Sequence, residues 1–243
     1  MKIHNLDPQK EREFEKLRED GLRLHVPITE QLWKLEVFDK DGQPLETMHK
    51  RAESWVRSAY NMLFSIMATK GATGAGYGAG SLQMRRTDGT VNASSTTTND
   101  HIVSVAITDG VGGYGFRADA GDTTFGILVG SSAVAESFEH HSIQTLIANG
   151  TGAGQLSYIA TDATVMTYVA GTRILSVDWR RFFNNNSGGD VTVRELAAVR
   201  RYILSGQVVN SYLLSRDLLP TAITIPNAGQ LRVTYTFRIT YPA

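Results

Sequence analysis

The stretch AITIPNAGQLRVTYTFRITY, residues 222–241, decides the reading of the fold. Leu231, Val233, Tyr235, Phe237, Ile239 and Tyr241 fall on one face of an extended chain, and Arg232, Thr234, Thr236, Arg238 and Thr240 on the other. Such alternation, rich in β-branched and aromatic residues, is what a half-buried strand needs. Pro226-Asn227-Ala228-Gly229 supplies turn chemistry, which predicts that this strand folds back on Ala222–Ile225.

Working outward, similar short apolar runs recur between turn signals. Candidate strands are Ile102–Thr108, Phe125–Val129, Leu156–Ala160, Thr164–Val169, Arg173–Phe183, Val191–Arg200, Tyr212–Ser215 and Ala222–Ile225, with the final Leu231–Tyr241. NNNSGGD at 184–190 reads as a loop between two longer strands. This spacing predicts a mainly β fold, an antiparallel β-sandwich of jelly-roll-like form.

The first part of the chain is built differently. Residues 7–20 read as a short helix, with Asp7 as its cap, Pro8 in the first helical position and Gly21 as its stop. Its apolar edge is only Phe14 and Leu17, too thin to hold the helix alone, which suits a frayed surface helix or an arm that docks on a neighbour. Leu32–Phe38 reads as a strand that returns through Asp39–Gln43 to Pro44–Met48. Residues 50–68 predict a helix that is apolar almost all round, Trp55 and Tyr60 included, and therefore buried in a core or a subunit contact.

Composition marks the same division. The chain has 243 residues, 24 Lys plus Arg, 24 Asp plus Glu and no Cys. Half of each charge lies in the first 70 residues, and no Lys follows Lys70. Of the 23 Gly, 16 fall between Gly71 and Gly154. These blocks predict an N-terminal charged arm, hairpin and apolar helix over 1–70. A Gly/Ser/Thr-rich linker or loop over 71–99 and a β-sandwich domain over 100–243 follow.

The same numbers exclude function classes. Without a basic surplus the chain is a poor coat for nucleic acid. Without Cys it has no disulfide, thiolate metal site or thiol nucleophile. No apolar run is long enough for a membrane helix, and the charged start has no signal-peptide core. Gly74, Gly76, Gly78 and Gly80 alternate and match no phosphate-loop spacing. Glu136 and His140 would share one helical face, but no third metal ligand is suggested. Asp109, Asp119 and Asp122 lie in the loop TDGVGGYGFRADAGD, where carboxylates and backbone carbonyls suit a calcium ion, although turn-forming Asp is the commoner reason for such a pattern. Asp162, Asp178 and Glu195 have no spacing that marks a glycosidase pair. The expectation is a chain with no enzymatic activity, no catalytic residue, no metal and no cofactor. Arg180 and Arg181 in VDWRRFF stand beside aromatic residues and read as the rim of a protein–protein contact. Phe14, Leu17, Trp55, Tyr60, Arg180 and Arg181 are therefore the candidate assembly contacts. Tyr77, Tyr114 and Phe116, in the glycine-rich region, are the loop aromatics that could face a sugar ring.

Four stretches carry a resemblance. They are FGILVGSS at 125–132, SIQTLIANGTGAGQLSY at 142–158, WRRFFNNNSGGDVTVRELAAVRR at 179–201 and YLLSRDLLPTAITIPNAGQLRVTYTFRITYP at 212–242. Together they resemble a group of tailed-bacteriophage virion structural proteins that show a GTGAGQLxY loop, an NNSGxxITVxE turn and an ARDLLxxPxTVxxGxxLTVTYT ending. The likeness covers about half the chain, and Gly150–Tyr158 and Arg216–Tyr235 are its most telling parts. It departs at Ala197-Ala198-Val199, where the group tends to Gly-Leu-Tyr. The resemblance implies a place in the virion, tail-, neck- or fibre-associated, with capsid decoration of the head as the alternative and a carbohydrate-binding receptor-recognition module as a further one. It implies partners that are copies of this chain and other virion proteins, with a host-surface glycan as a further class, and neither nucleic acid nor membrane.

Overall fold

A computed structural model describes residues 1–4, 7–68, 83–92, 115–204 and 208–242. The fold is mainly β, with two helices. In chain order the elements are β1 (Lys2–His4), α1 (Pro8–Leu24), β2 (Ile28–Phe38), β3 (Pro44–Arg51), α2 (Arg57–Ala68), β4 (Met84–Arg85) and β5 (Val91–Asn92). There follow β6 (Gly126–Gly130), β7 (Ser157–Tyr158), β8 (Val165–Val169), β9 (Ile174–Asn184), β10 (Val191–Leu204), β11 (Val208–Ile225) and β12 (Gln230–Thr240). The expected strand Ile102–Thr108 and the Gly-rich 71–80 stretch lie outside the described residues.

Seven strands form a large mixed sheet in the order β1-β3-β2-β12-β9-β7, with β8 also on β9. Only β1 on β3 is parallel. A small antiparallel sheet has the order β11-β10-β6, and β4 and β5 form a separate ribbon. Side chains of both main sheets meet in one core. Trp33, Leu35, Val37, Leu231, Val233 and Tyr235 come from the large sheet, and Ile127, Leu196, Leu213, Ile223 and Ile225 from the small one. Each contributes about 1.5–3 kcal/mol on burial, so this shared core dominates stability.

The alternation of 231–240 places Leu231, Val233 and Tyr235 inward as expected. Its partners differ from expectation. β12 does not return on Ala222–Ile225; it pairs with β2 over Ile28–Phe38 and with β9 over Ile174–Asn184. Ala222–Ile225 instead ends β11, which pairs with β10. The Pro226–Gly229 turn thus carries the chain from one sheet to the other. Apolar residues on both neighbouring elements satisfy the same face, and burying both needs two sheets.

The hairpin β2–β3 is as expected. Asp39 Oδ1 accepts from the N–H groups of Asp41 (2.9 Å) and Gln43 (2.8 Å), and Gly42 takes φ +75°. Because β2 lies alongside β12, the boundary drawn at residue 70 cuts across one continuous sheet. In α1, Asp7 Oδ1 accepts from Gln9 N–H, the expected cap. Gly21 does not stop the helix. It stands inside it, buried, where an added Cβ would lie 2.6 Å from Ile28 Cγ1, so its lack of a side chain lets β2 approach. His25, in the left-handed conformation, ends the helix. Helix α2 begins at Arg57, since Lys50 and Arg51 belong to β3. It buries Ala59 and Met62, with Val56 just before it, but leaves Tyr60 and Leu63 exposed, so it is not enclosed on all sides. Among the described residues no helix is long and apolar enough to cross a membrane.

Candidate functional site

The buried charged side chains hold loops and α1 onto the sheets. Arg181 is fully buried on the inner face of β9, in phase with Trp179 and Phe183. Nε donates to Ile159 O (2.8 Å), Nη1 to Phe125 O (3.4 Å) and Ile127 O (3.1 Å), and Nη2 to Asp119 O (2.9 Å) and Asp122 O (2.7 Å). Its five N–H groups thus meet five carbonyls. The guanidinium also lies 4.9 Å from the Tyr158 ring centroid. Burial lowers its pKa to about 10, so it stays cationic at neutral pH. The carbonyls of Asp119 and Asp122, weighed above as a calcium loop, are therefore turned to a cation of the chain itself. Asp122 Oδ2 accepts from Arg201 Nη2 (3.0 Å), and Oδ1 caps Thr124.

A second buried cation pairs with a carboxylate. Glu195 on β10 and Arg216 on β11 are both fully buried, with Nε to Oε2 at 2.5 Å. Glu195 Oε1 also accepts from Thr145 N–H (2.8 Å) and Arg216 Nη2 donates to Val134 O (2.8 Å), so the pair anchors the long connection after β6. A Cβ on Gly130 would meet Glu195 Oε1 at 2.4 Å, which explains glycine opposite that carboxylate. His140 Nδ1 stands 3.3 Å from Arg216 Nη1, and Glu136 Oε1 accepts from Leu218 N–H (2.6 Å). The two residues considered as metal ligands therefore have separate partners. No cluster of three metal-ligating side chains occurs among the described residues. Asp162 pairs with Arg180 Nε at 2.5 Å.

Helix α1 is fixed by ions more than by apolar contact. Glu30 on β2 is buried and accepts from Arg18 Nε (3.0 Å) and Nη2 (2.9 Å) and from Arg51 Nη1. Arg51 Nε and Nη2 clamp Glu11 at 2.7 Å each. The Phe14 ring lies under Arg51, with the guanidinium carbon 3.9 Å from its centroid. Phe14 is thus engaged within the chain, while Leu17 stays 47% exposed.

Trp55 and Tyr60 come together. Their ring centroids are 5.9 Å apart, and Tyr60 stands 5.8 Å from Phe138. Trp55 continues the series inward to Phe237 at 6.1 Å, which meets Phe116 and Trp179. Tyr60, Leu63 and Phe138 are each more than two-fifths exposed. Trp55 and Tyr60 separate two open hollows, one closed by Glu136 and Phe138 and the other by Phe14, Pro27 and Leu63.

The expected residues thus fall in three groups. Trp55, Tyr60 and, at the rim, Phe14 share one surface. Arg180 is exposed elsewhere on the large sheet, and Arg181 is not at a rim but in the interior. Phe116 is buried at 5% exposure, against Trp179 at 4.4 Å, so it offers no face to a sugar. Tyr77 and Tyr114 lie outside the described residues. The sequence reading has a strand at Thr164–Val169 but assigns it no contact role, and in β8 Val165, Met166, Tyr168 and Val169 are all about half exposed or more. Its signal was present: five residues with no charge on a short strand beside a turn. No family model, curated protein or solved structure matches the chain.

Proposed function

We propose that this chain is a non-enzymatic structural component of a tailed-phage virion, tail-, neck- or fibre-associated, that works by protein–protein contact. One observation carries the reading. The buried ionised groups join parts of the chain to one another, while exposed apolar side chains gather at β8 and around Tyr60, Leu63 and Phe138. Grouped apolar exposure of this kind marks contact surfaces. The likeness of residues 125–242 to virion proteins supports the same conclusion. We read the two main sheets as a sandwich, on the strength of the core they share. Among the described residues the strands divide seven and three between these two sheets.

Imaging of purified particles tests the reading through position and copy number. A small ring of copies at the tail or neck supports it, and hundreds of copies on the head would favour the decoration alternative. Absence from purified particles rejects both. The glycan reading keeps only Tyr77 and Tyr114 as aromatic candidates.

A further inference from the structure

We propose that β8 is a self-association edge, which pairs antiparallel with β8 of a second copy of this chain about a two-fold axis at Thr167. The inference rests on the reading above that the chain assembles with copies of itself, and it assigns that contact to a strand.

One edge of β8 pairs with β9, from Val165 opposite Asp178 to Val169 opposite Ile174. Its other edge has no partner strand among the described residues. All five side chains are exposed, with Met166 at 69% and Tyr168 at 54%. An exposed apolar edge is a template for another strand, and proteins usually blunt one with Lys, Pro or a bulge. Val165-Met166-Thr167-Tyr168-Val169 contains neither Lys nor Pro, and its ladder with β9 runs without a register shift.

The occupant follows from symmetry and charge. A two-fold contact must be self-complementary. About Thr167 the strand is nearly symmetric in bulk. Val165 would oppose Val169 of the second copy, Met166 would oppose Tyr168, and Thr167 would oppose itself. Met against an aromatic ring is a favourable pair. No charge on β8 selects an unlike partner, and the chain's zero net charge sets up no repulsion between copies. A pair of five-residue strands covers less than the roughly 1,200–2,000 Å² of a stable interface. Association through this edge is therefore weak in dilute solution and gains strength where copies are held side by side.

The absence of native Cys makes cross-linking a clean test. In an antiparallel pair, opposed Cα atoms lie about 4.5–5.5 Å apart, within the roughly 4.4–6.8 Å of a disulfide. Thr167→Cys should give a covalent dimer under mild oxidation. Val169→Cys should not, because its counterpart lies about 14 Å away along the strand. A mixture of Val165→Cys and Val169→Cys proteins should link to each other. Adding Met166→Asp to Thr167→Cys should lower the dimer yield several-fold at unchanged circular dichroism. Failure of Thr167→Cys to dimerise, or equal dimerisation of Val169→Cys, overturns the inference. The test needs no particle: cross-linking by a protein absent from virions would sink the virion reading and leave the β8 contact standing.

Discussion

Arg181 shows how much one residue can fix. Five carbonyls from three segments, 119–122, 125–127 and Ile159, converge on it, and no other side chain supplies five donors in one plane. Arg181→Lys keeps the charge but at most three donors, so at least two of the five carbonyls lose the donor that Arg181 gives them. A loss of about 3 kcal/mol or more is expected, read as a lower urea midpoint. A midpoint unchanged from the parent would show that the carbonyls find water instead. Asp217 makes a different case. It is buried, accepts from Tyr235 O–H at 3.0 Å, and burial pushes its pKa up to about 7. Glu136 raises it further, while Lys50 acts against the shift. A carboxyl whose folded pKa exceeds its unfolded value binds its proton more tightly when folded. Its contribution is full below about pH 4, shrinks as pH rises, and is lost above about pH 7. Asp217→Asn should flatten the fall in stability between pH 5 and pH 8 relative to the parent, as measured by urea titration across that range. Parallel curves would remove Asp217 as the cause. Only the first of these sites is partly legible in the sequence. Arg181 shares the period-two phase of Trp179 and Phe183, which marks it as inward, but the doublet with Arg180 suggests two surface cations. Nothing near Asp217 in sequence announces Tyr235, because their contact is across sheets.

At the scale of elements, connections are the least legible part. Most strands agree with the alternation of apolar and polar residues, since that pattern reports which face is buried. It does not report which strand lies alongside. Hence β12 was placed against the end of β11 when both only border the same core. The two sheet-changing turns, 184–190 and 226–229, are joined by Asn185. Its buried Nδ2 donates to Gly189 O (2.8 Å), Ile225 O (2.8 Å) and Pro226 O (3.0 Å), and its backbone pairs with Ala228 and Gly229. In a run of three Asn, no local signal singles it out. Asn185→Ala should cost about 2–3 kcal/mol, while Asn186→Ala, on an exposed neighbour, should stay within about 0.5 kcal/mol. Equal effects on thermal unfolding would refute the assignment. For α1, an edge of only Phe14 and Leu17 suggested a loosely held arm, but Glu30 holds it through two arginines. Glu30→Gln leaves Arg18 and Arg51 facing each other without their shared carboxylate, a change of about 3–5 kcal/mol for a buried network. Trypsin should then cut faster at Lys16. Unchanged cleavage would mean that Glu11 and Phe14 alone keep the helix in place.

The whole molecule is less divisible than its composition. The Lys-bearing first block contributes Trp33, Leu35, Val37 and Met48 to the core it shares with the Gly/Thr-rich remainder. Charge blocks report surface chemistry, and a strand's surface face can differ from its neighbours while its inner face serves the same interior. A fragment of residues 52–243 lacks β1–β3 and leaves one edge of β12 bare. It should therefore fail to show cooperative unfolding, as followed by circular dichroism during urea titration. A cooperative transition in that fragment would restore an independent second domain. The position of β12 has one more consequence, in time. The central place between β2 and β9 is filled by β12, made roughly 190 residues after β2 leaves the ribosome. At the usual pace of synthesis, ~5–20 residues per second, β2 waits on the order of ten seconds or longer for its neighbour. Through that interval the nascent hairpin shows an open, apolar-faced edge, so the synthesis of β12, rather than any local step, sets the moment at which the large sheet can close.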